Sequence, residues 1–204
     1  STITQVQALS IDFHFLIEQK AKSNSQLFMN FNGTAGIWRR ECIEDAGGWH
    51  TATLVEDLDL SYRAQMKGWK CVFLPDIVVD AELPAQMNGA KRQQFRWAKG
   101  SIQCAIKLLS DIGLKRNVAI EAKIQAFIQL TRHIVYPLVL IQFLTLPILL
   151  AAQVNLYVVS VLPVLTIATY LAMGPGAYII VIRGMYNESW KSKAKLLPAL
   201  LVYN

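Results

Sequence analysis

Hydrophobic and polar positions change rhythm several times along the 204 residues of this chain. Over residues 5–22, Val6, Leu9, Phe13, Leu16 and Ile17 recur at the spacing of one helical face, with Lys20 and Lys22 near the end, which predicts an amphipathic helix. His14 lies inside that pattern, where a satisfied or exposed helical histidine is expected. Leu27 to Trp38 drops the helical period and reads as a strand, a turn containing Gly33 and Gly36, and a second short strand or helix entry. A short helix over Arg39–Ala46 should stop at Gly47-Gly48, with Trp49 packing back. Glu56-Asp57 then opens a helix in which Leu58, Tyr62 and Met66 repeat at i, i+4 and i+8 as far as Gly68. Lys70–Leu74 and Ile77–Val79 are β-prone runs separated by Pro75-Asp76. Helical spacing returns over Ala90–Leu109 through Phe95, Ile102, Ile106 and Leu109.

The pattern changes character in the second half. Lys115–Arg132 alternates basic residues with Val118, Ile120, Ile124, Phe127, Ile128 and Leu130, the composition of a helix lying in a membrane interface. From His133 to Ile182 there is no Asp, Glu, Lys or Arg. Ile134–Ala152 is a 19-residue apolar run, which at about 1.5 Å per residue reaches across a hydrocarbon core of about 30 Å. Gln153-Val154-Asn155 makes a turn, Leu156–Ile182 supplies a second span broken by Pro163 and Gly174-Pro175-Gly176, and a third apolar segment begins near Leu196. The expected organisation is a mixed α/β soluble portion over residues 1–114, an interfacial helix over 115–132 and a transmembrane region over 133–204.

Charge sharpens that division. Residues 1–90 carry 7 basic and 11 acidic side chains, residues 91–132 carry 9 and 2, and residues 183–195 carry 4 and 1. The basic excess therefore brackets the uncharged stretch, which places the soluble portion on the cytosolic side and favours anionic headgroups and an anionic substrate. No nucleic-acid-binding motif accompanies it, so nucleic acid is not an expected partner. Cys42, Cys71 and Cys104 are widely spaced and read as small hydrophobes in a reducing compartment, not as metal ligands or nucleophiles.

Candidate chemistry concentrates in two strings. Val55-Glu56-Asp57-Leu58-Asp59 puts three carboxylates into four positions, Glu56 to Asp59. Asp57 and Asp59 have a plain structural account as acidic residues in a helix's first turn. Their D-x-D spacing is discounted as a metal site because it runs straight into a helical pattern. Gln93, Arg96 and Trp97 fall at i, i+3 and i+4 and share one helical face, either as a ligand-facing group or as a surface cation–π pair. Asn32, Gly33 and Thr34 could let the backbone approach a ligand and hydrogen-bond to it, or form a hairpin with no ligand.

Val55-Glu56-Asp57, Gln93-Gln94-Phe95-Arg96-Trp97 and the apolar helices after them together resemble the membrane-embedded family 2 glycosyltransferases, which include the cellulose, hyaluronan and chitin synthases. Phe31–Arg39, Glu44–Trp49, Glu56–Leu60 and Glu82-Leu83-Pro84 are most similar to the cellulose-synthase-like glucomannan and mannan synthases. The resemblance implies a GT-A domain, here its carboxy-terminal, acceptor-side half, with Val55 standing where Thr is usual. Nothing in the chain matches the half that carries the nucleotide-binding strands and the metal-binding D-x-D. Mg²⁺ or Mn²⁺ is therefore expected to be held mostly by residues outside this chain, and the fragment alone is not expected to catalyse transfer.

By that resemblance Asp57 is the general base, Glu56 shapes the acceptor pocket, Gln93 and Arg96 meet the donor diphosphate, and Trp97 with Asn32, Gly33 and Thr34 receives the acceptor sugar. The implied reaction is inverting hexosyl transfer from GDP-mannose or UDP-glucose to a growing β-linked glycan, processive and at the plasma membrane or, in a eukaryote, the Golgi. Transfer of one sugar to a membrane lipid and a non-catalytic membrane scaffold are the alternatives.

Overall fold

The computed structural model describes residues 2–152 together with Val161, Val164 and Lys195. Apart from Val161 and Val164, the expected second span at 156–182 lies outside the described residues, as does the segment from Leu196. The chain divides into one unit of Ser1–Phe13 with Ile134–Asn204 and another of His14–His133.

In the first unit, α1 spans Thr2–Phe13, with Val6 and Leu9 buried as their spacing predicts. The second unit opens on a π-helical turn, His14–Gln19, followed by α2, Lys20–Asn24. A π turn inserts a residue into the helical repeat and rotates the faces that follow. Accordingly Gln19 and Lys22 are buried while Leu16, expected on the apolar face, is 46% exposed.

Helix α3, Arg40–Asp45, ends where the double glycine was expected to end it, with the Gly48 amide donating to the Ile43 carbonyl at 2.8 Å. Helix α4, Glu56–Met66, has two apolar faces. Tyr62 and Met66, with Leu58 beside them, enter a core with Phe28, Cys104, Leu108, Ile112, Ala126 and Leu130. Leu60 and Ala64 meet Cys42 and Ala46 under Trp38 and Trp69. The Tyr62 ring stacks on Phe28 at 5.0 Å.

Helix α5 runs over Met87–Leu114, longer than its periodicity suggested. Its buried face is Ser101, Cys104, Ala105, Leu108 and Ile112, whereas Phe95 and Ile106, expected to point inward, are 67% and 81% exposed. Small residues won the buried face because α6, Ile120–Thr131, packs closely there through Ala122, Ala126 and Leu130. The Ser101 hydroxyl donates to the Leu130 carbonyl at 3.2 Å.

Helix α7 covers Val135–Ala151 after a single 3-10 turn at Arg132–Ile134. Among the described residues one helical stretch, Ile120–Leu149, is long and apolar enough to cross a membrane.

The expected strands are the main difference from the α/β expectation: among the described residues no strand forms. A β-prone run becomes a strand only when a neighbour takes up its N–H and C=O groups. Here side chains do so. Gln65 accepts from the Met29 amide at 2.9 Å and donates to the Met29 carbonyl at 2.7 Å, and Ser23 accepts from the Phe73 amide at 3.4 Å. Val72, Ile77 and Val78 are exposed.

Candidate active site

The site is built where the first turn of α4 meets the Asn30–Gly36 loop and α5. Three polar residues of α4, Asp57, Ser61 and Gln65, recur at i, i+4 and i+8 and form a stripe that holds the loop. Gln65 clamps Met29 from both sides. The Ser61 hydroxyl accepts from the Phe31 amide at 2.9 Å and donates to the Asp57 carbonyl at 2.6 Å. At the head of the stripe Gly33 faces Asp57, and a Cβ on Gly33 would sit 2.9 Å from Asp57 Oδ2. With φ at +70° and no room for a side chain, that position requires glycine. Gly36 instead lies over the ring of Phe31, so its close approach is to the loop itself.

Asp57 is half-buried, and the Leu58 amide donates to its Oδ1 at 2.8 Å. Burial raises its carboxyl above the usual aspartate value, the Leu58 amide opposes that, the Glu56 charge adds to it and the Arg96 guanidinium counters it. Arg96 is therefore within electrostatic reach of Asp57, although the two are 39 positions apart in sequence.

The contact that seats the start of α4 against α5 is between Val55 and Gly100. A Cβ on Gly100 would lie 2.6 Å from Val55 Cγ2, so the start of α4 is seated on bare α5 backbone. Gly100 follows Arg96 by one helical turn and shares its face, with Gln93 and Trp97. Arg96 and Glu56 are exposed, as are Gly33 and Thr34, while Gln93, Trp97 and Asn32 are half-buried.

Asp59, two residues from Asp57, is fully buried. Its Oδ1 pairs with Lys107 at 2.7 Å, and its Oδ2 with Arg63 at 2.8 Å and His50 Nδ1 at 3.6 Å. Arg63 also donates to the carbonyls of Ala46 and Gly48. With its oxygens occupied by cations, Asp59 does not fit a divalent metal, and the described residues contain no group of three or more His, Cys, Asp or Glu that could hold one. Cys42 and Cys104 are buried and unpaired, Cys71 half-buried and unpaired. Burial pushes the Cys104 thiol up to about 12 and that of Cys71 to about 11, which suppresses the thiolate a nucleophile needs.

The sequence reading singled out Asp57, Gly33 and Arg96, of which Gly33 lies against Asp57 and Arg96 is within its electrostatic reach; it passed over Ser61, Gln65 and Gly100, which hold the loop and the start of α4. A glycine in mid-helix and a polar residue every fourth position were the available signals.

The family model described as "Glycosyl transferase family group 2" matches residues 2–181. The chain is 41% identical over 141 residues to a probable glucomannan 4-beta-mannosyltransferase 7 of Oryza sativa subsp. japonica, covering 68% of this chain and 24% of that protein. It is 41% identical over 140 residues to the glucomannan 4-beta-mannosyltransferase 1 of the same plant, covering 69% and 25%. With a probable glucomannan 4-beta-mannosyltransferase 10 of Arabidopsis thaliana it shares 43% over 122 residues, covering 60% and 22%. No solved structure matches. The match thus spans about a quarter of the length of these relatives. The chain belongs to glycosyl transferase family group 2, a membership that implies the GT-A fold.

Proposed function

We propose that the intact protein is an inverting glycosyltransferase that moves a hexose, by analogy with the names of its relatives a mannosyl group, from a nucleotide sugar onto the end of a β-linked polysaccharide. The observation that carries this reading is the half-buried Asp57 carboxylate, raised by burial, set against Gly33 and within reach of the Arg96 charge. In this role Asp57 takes the proton from the acceptor hydroxyl as it attacks the anomeric carbon, a contribution of about 10²–10⁴ in rate. Arg96, with Gln93, offers a guanidinium and an amide to the leaving diphosphate. Trp97 stacks on the acceptor sugar, Asn32, Gly33 and Thr34 line its pocket, and Glu56 shapes the entrance. The divalent ion expected of the complete enzyme would be held mostly by residues outside this chain and would supply positive charge to the leaving diphosphate.

The membrane part of the proposal rests on α6 and α7. Ile120, Ile124, Phe127 and Ile128 are 63%, 54%, 58% and 48% exposed and form a lipid-facing stripe on α6, with Lys115, Arg116 and Lys123 nearby for anionic headgroups. Leu140, Phe143 and Leu144 of α7 are exposed as a spanning helix requires. The catalytic portion is cytosolic, and chain elongation is processive, with the later helices forming the path of the polymer.

Turnover of GDP-mannose and UDP-glucose by the full-length protein in membranes, with product sizing, tests this. Polymer that disappears with Asp57→Asn is the expected result. A single-sugar lipid product overturns processivity, and no transfer from either donor by folded protein overturns the enzyme reading.

A further inference from the structure

We propose that Asn32 is held in one amide orientation by a directed hydrogen-bond relay from Lys22 through Gln129 and Asn30, which turns its Nδ2 hydrogens toward an acceptor-sugar oxygen. The inference rests on the acceptor-pocket reading above and adds three positioning residues to it.

The direction of the relay follows from its first member. A lysine amine facing an amide donates, and Lys22, though 7% exposed, meets Gln129 Oε1. The same oxygen accepts from Gln125 Nε2 at 2.8 Å. With its oxygen committed, Gln129 must point Nε2 the other way, and it donates to Asn30 Oδ1 at 2.9 Å. Asn30 in turn donates from Nδ2 to Asn32 Oδ1 at 2.6 Å. An amide alone has two nearly isosteric orientations; each link here is compatible with only one.

Two flanking contacts fix the relay in place. Gln19 Nε2 donates to the Asn30 carbonyl at 2.7 Å. His14 Nε2 lies 3.3 Å from the same Asn32 Oδ1, with its Nδ1 2.6 Å from Glu18 Oε2. Burial alone raises the Glu18 carboxyl, but the His14 hydrogen bond with the Lys22 and Arg132 charges overcomes it and holds the group down at about 2. The π-helical turn is what presents His14, Glu18 and Gln19 together, so this irregularity in the helix has a use. With Oδ1 of Asn32 occupied from the protein side, the amide presents hydrogens to a ligand. Asn32 therefore selects an accepting oxygen on the sugar next to Gly33 and Asp57.

Gln129→Glu tests the direction and not merely the contact. A glutamate keeps the size and the Lys22 partner but cannot donate to Asn30. Asn30→Asp breaks the next link in the same way. In the full-length enzyme in membranes, with GDP-mannose as donor and β-1,4-linked mannan oligosaccharides as acceptor, each variant should raise the acceptor KM about tenfold, as expected for one hydrogen bond, with donor KM unchanged. Gln129→Met, which adds no buried charge, should do the same. An unmoved acceptor KM in folded Gln129→Glu and Asn30→Asp overturns the relay while leaving the proposed function intact. Loss of folded protein in all three variants overturns it in favour of a purely structural network. No transfer by the wild-type enzyme overturns both proposals.

Discussion

The first turn of α4 carries two aspartates, Asp57 and Asp59, and the two have opposite environments. Asp59 is fully buried and held by Lys107 and Arg63. Asp57 is half-buried, takes one local amide hydrogen bond, and faces an open glycine and a more remote guanidinium. Two residues on a helix correspond to about 200° of rotation, so the pair was bound to face different neighbours. The difference teaches that a carboxylate saturated by cations fixes a fold, whereas one left partly desolvated and underpaired is available for proton transfer.

The largest expected effect comes from collapsing the functional side of this contrast. Asp57→Asn should lower transfer by about 10²–10⁴ in turnover assays while the thermal midpoint at neutral pH stays at or above wild type. The sign follows from linkage. A raised folded-state carboxyl binds its proton more tightly than in the unfolded chain, so wild type loses stability as pH rises through that window, and the asparagine does not. A clear drop in midpoint would make Asp57 structural.

Asp59→Asn should do the reverse. It strips the charge that Arg63 and Lys107 face and should cost about 3 kcal/mol in denaturant unfolding, at the low end for a buried pair because Lys107 is 28% exposed. Activity should follow the amount of folded protein. A variant that is fully folded yet inactive would move Asp59 into the chemistry and erase the distinction.

A smaller effect probes the seat that positions Asp57. Gly100→Ala places a methyl against Val55 and should cost about 1–3 kcal/mol. Adding Val55→Ala should recover most of the loss, measured as a double-mutant cycle. Additivity of the two changes would mean that the helices do not meet there.

The smallest effect is on pH dependence. The acid limb of kcat/KM should lie above the usual aspartate value of 3.8, because the base works only when deprotonated and burial holds its proton. Glu56→Gln removes a neighbouring negative charge and should shift that limb slightly downward. No shift would place Glu56 outside the field of the base.

Much of the fold was legible because short-range signals wrote it. The Gly47-Gly48 stop, the Leu58-Tyr62-Met66 stripe and the start of α4 at Glu56 depend on neighbours within a turn or two, and the structure has them as the spacing indicated. The family was legible for a different reason: its short motifs stand in series along the chain.

What only the tertiary structure decided depends on partners distant in sequence. Phe95 and Ile106 kept a helical period yet lie outside, because α6 took the small-residue face of α5. Met29 and Phe31 are β-prone but give their backbone bonds to Gln65 and Ser61. Placing Asp57 within the field of Arg96 required a glycine in mid-helix for Val55 to rest on, and the orientation of Asn32 required Gln129, 97 positions further along. Periodicity reports which face of an element is apolar; which neighbour covers it, and which polar group is thereby fixed, is settled by packing and by the need of every buried donor for an acceptor.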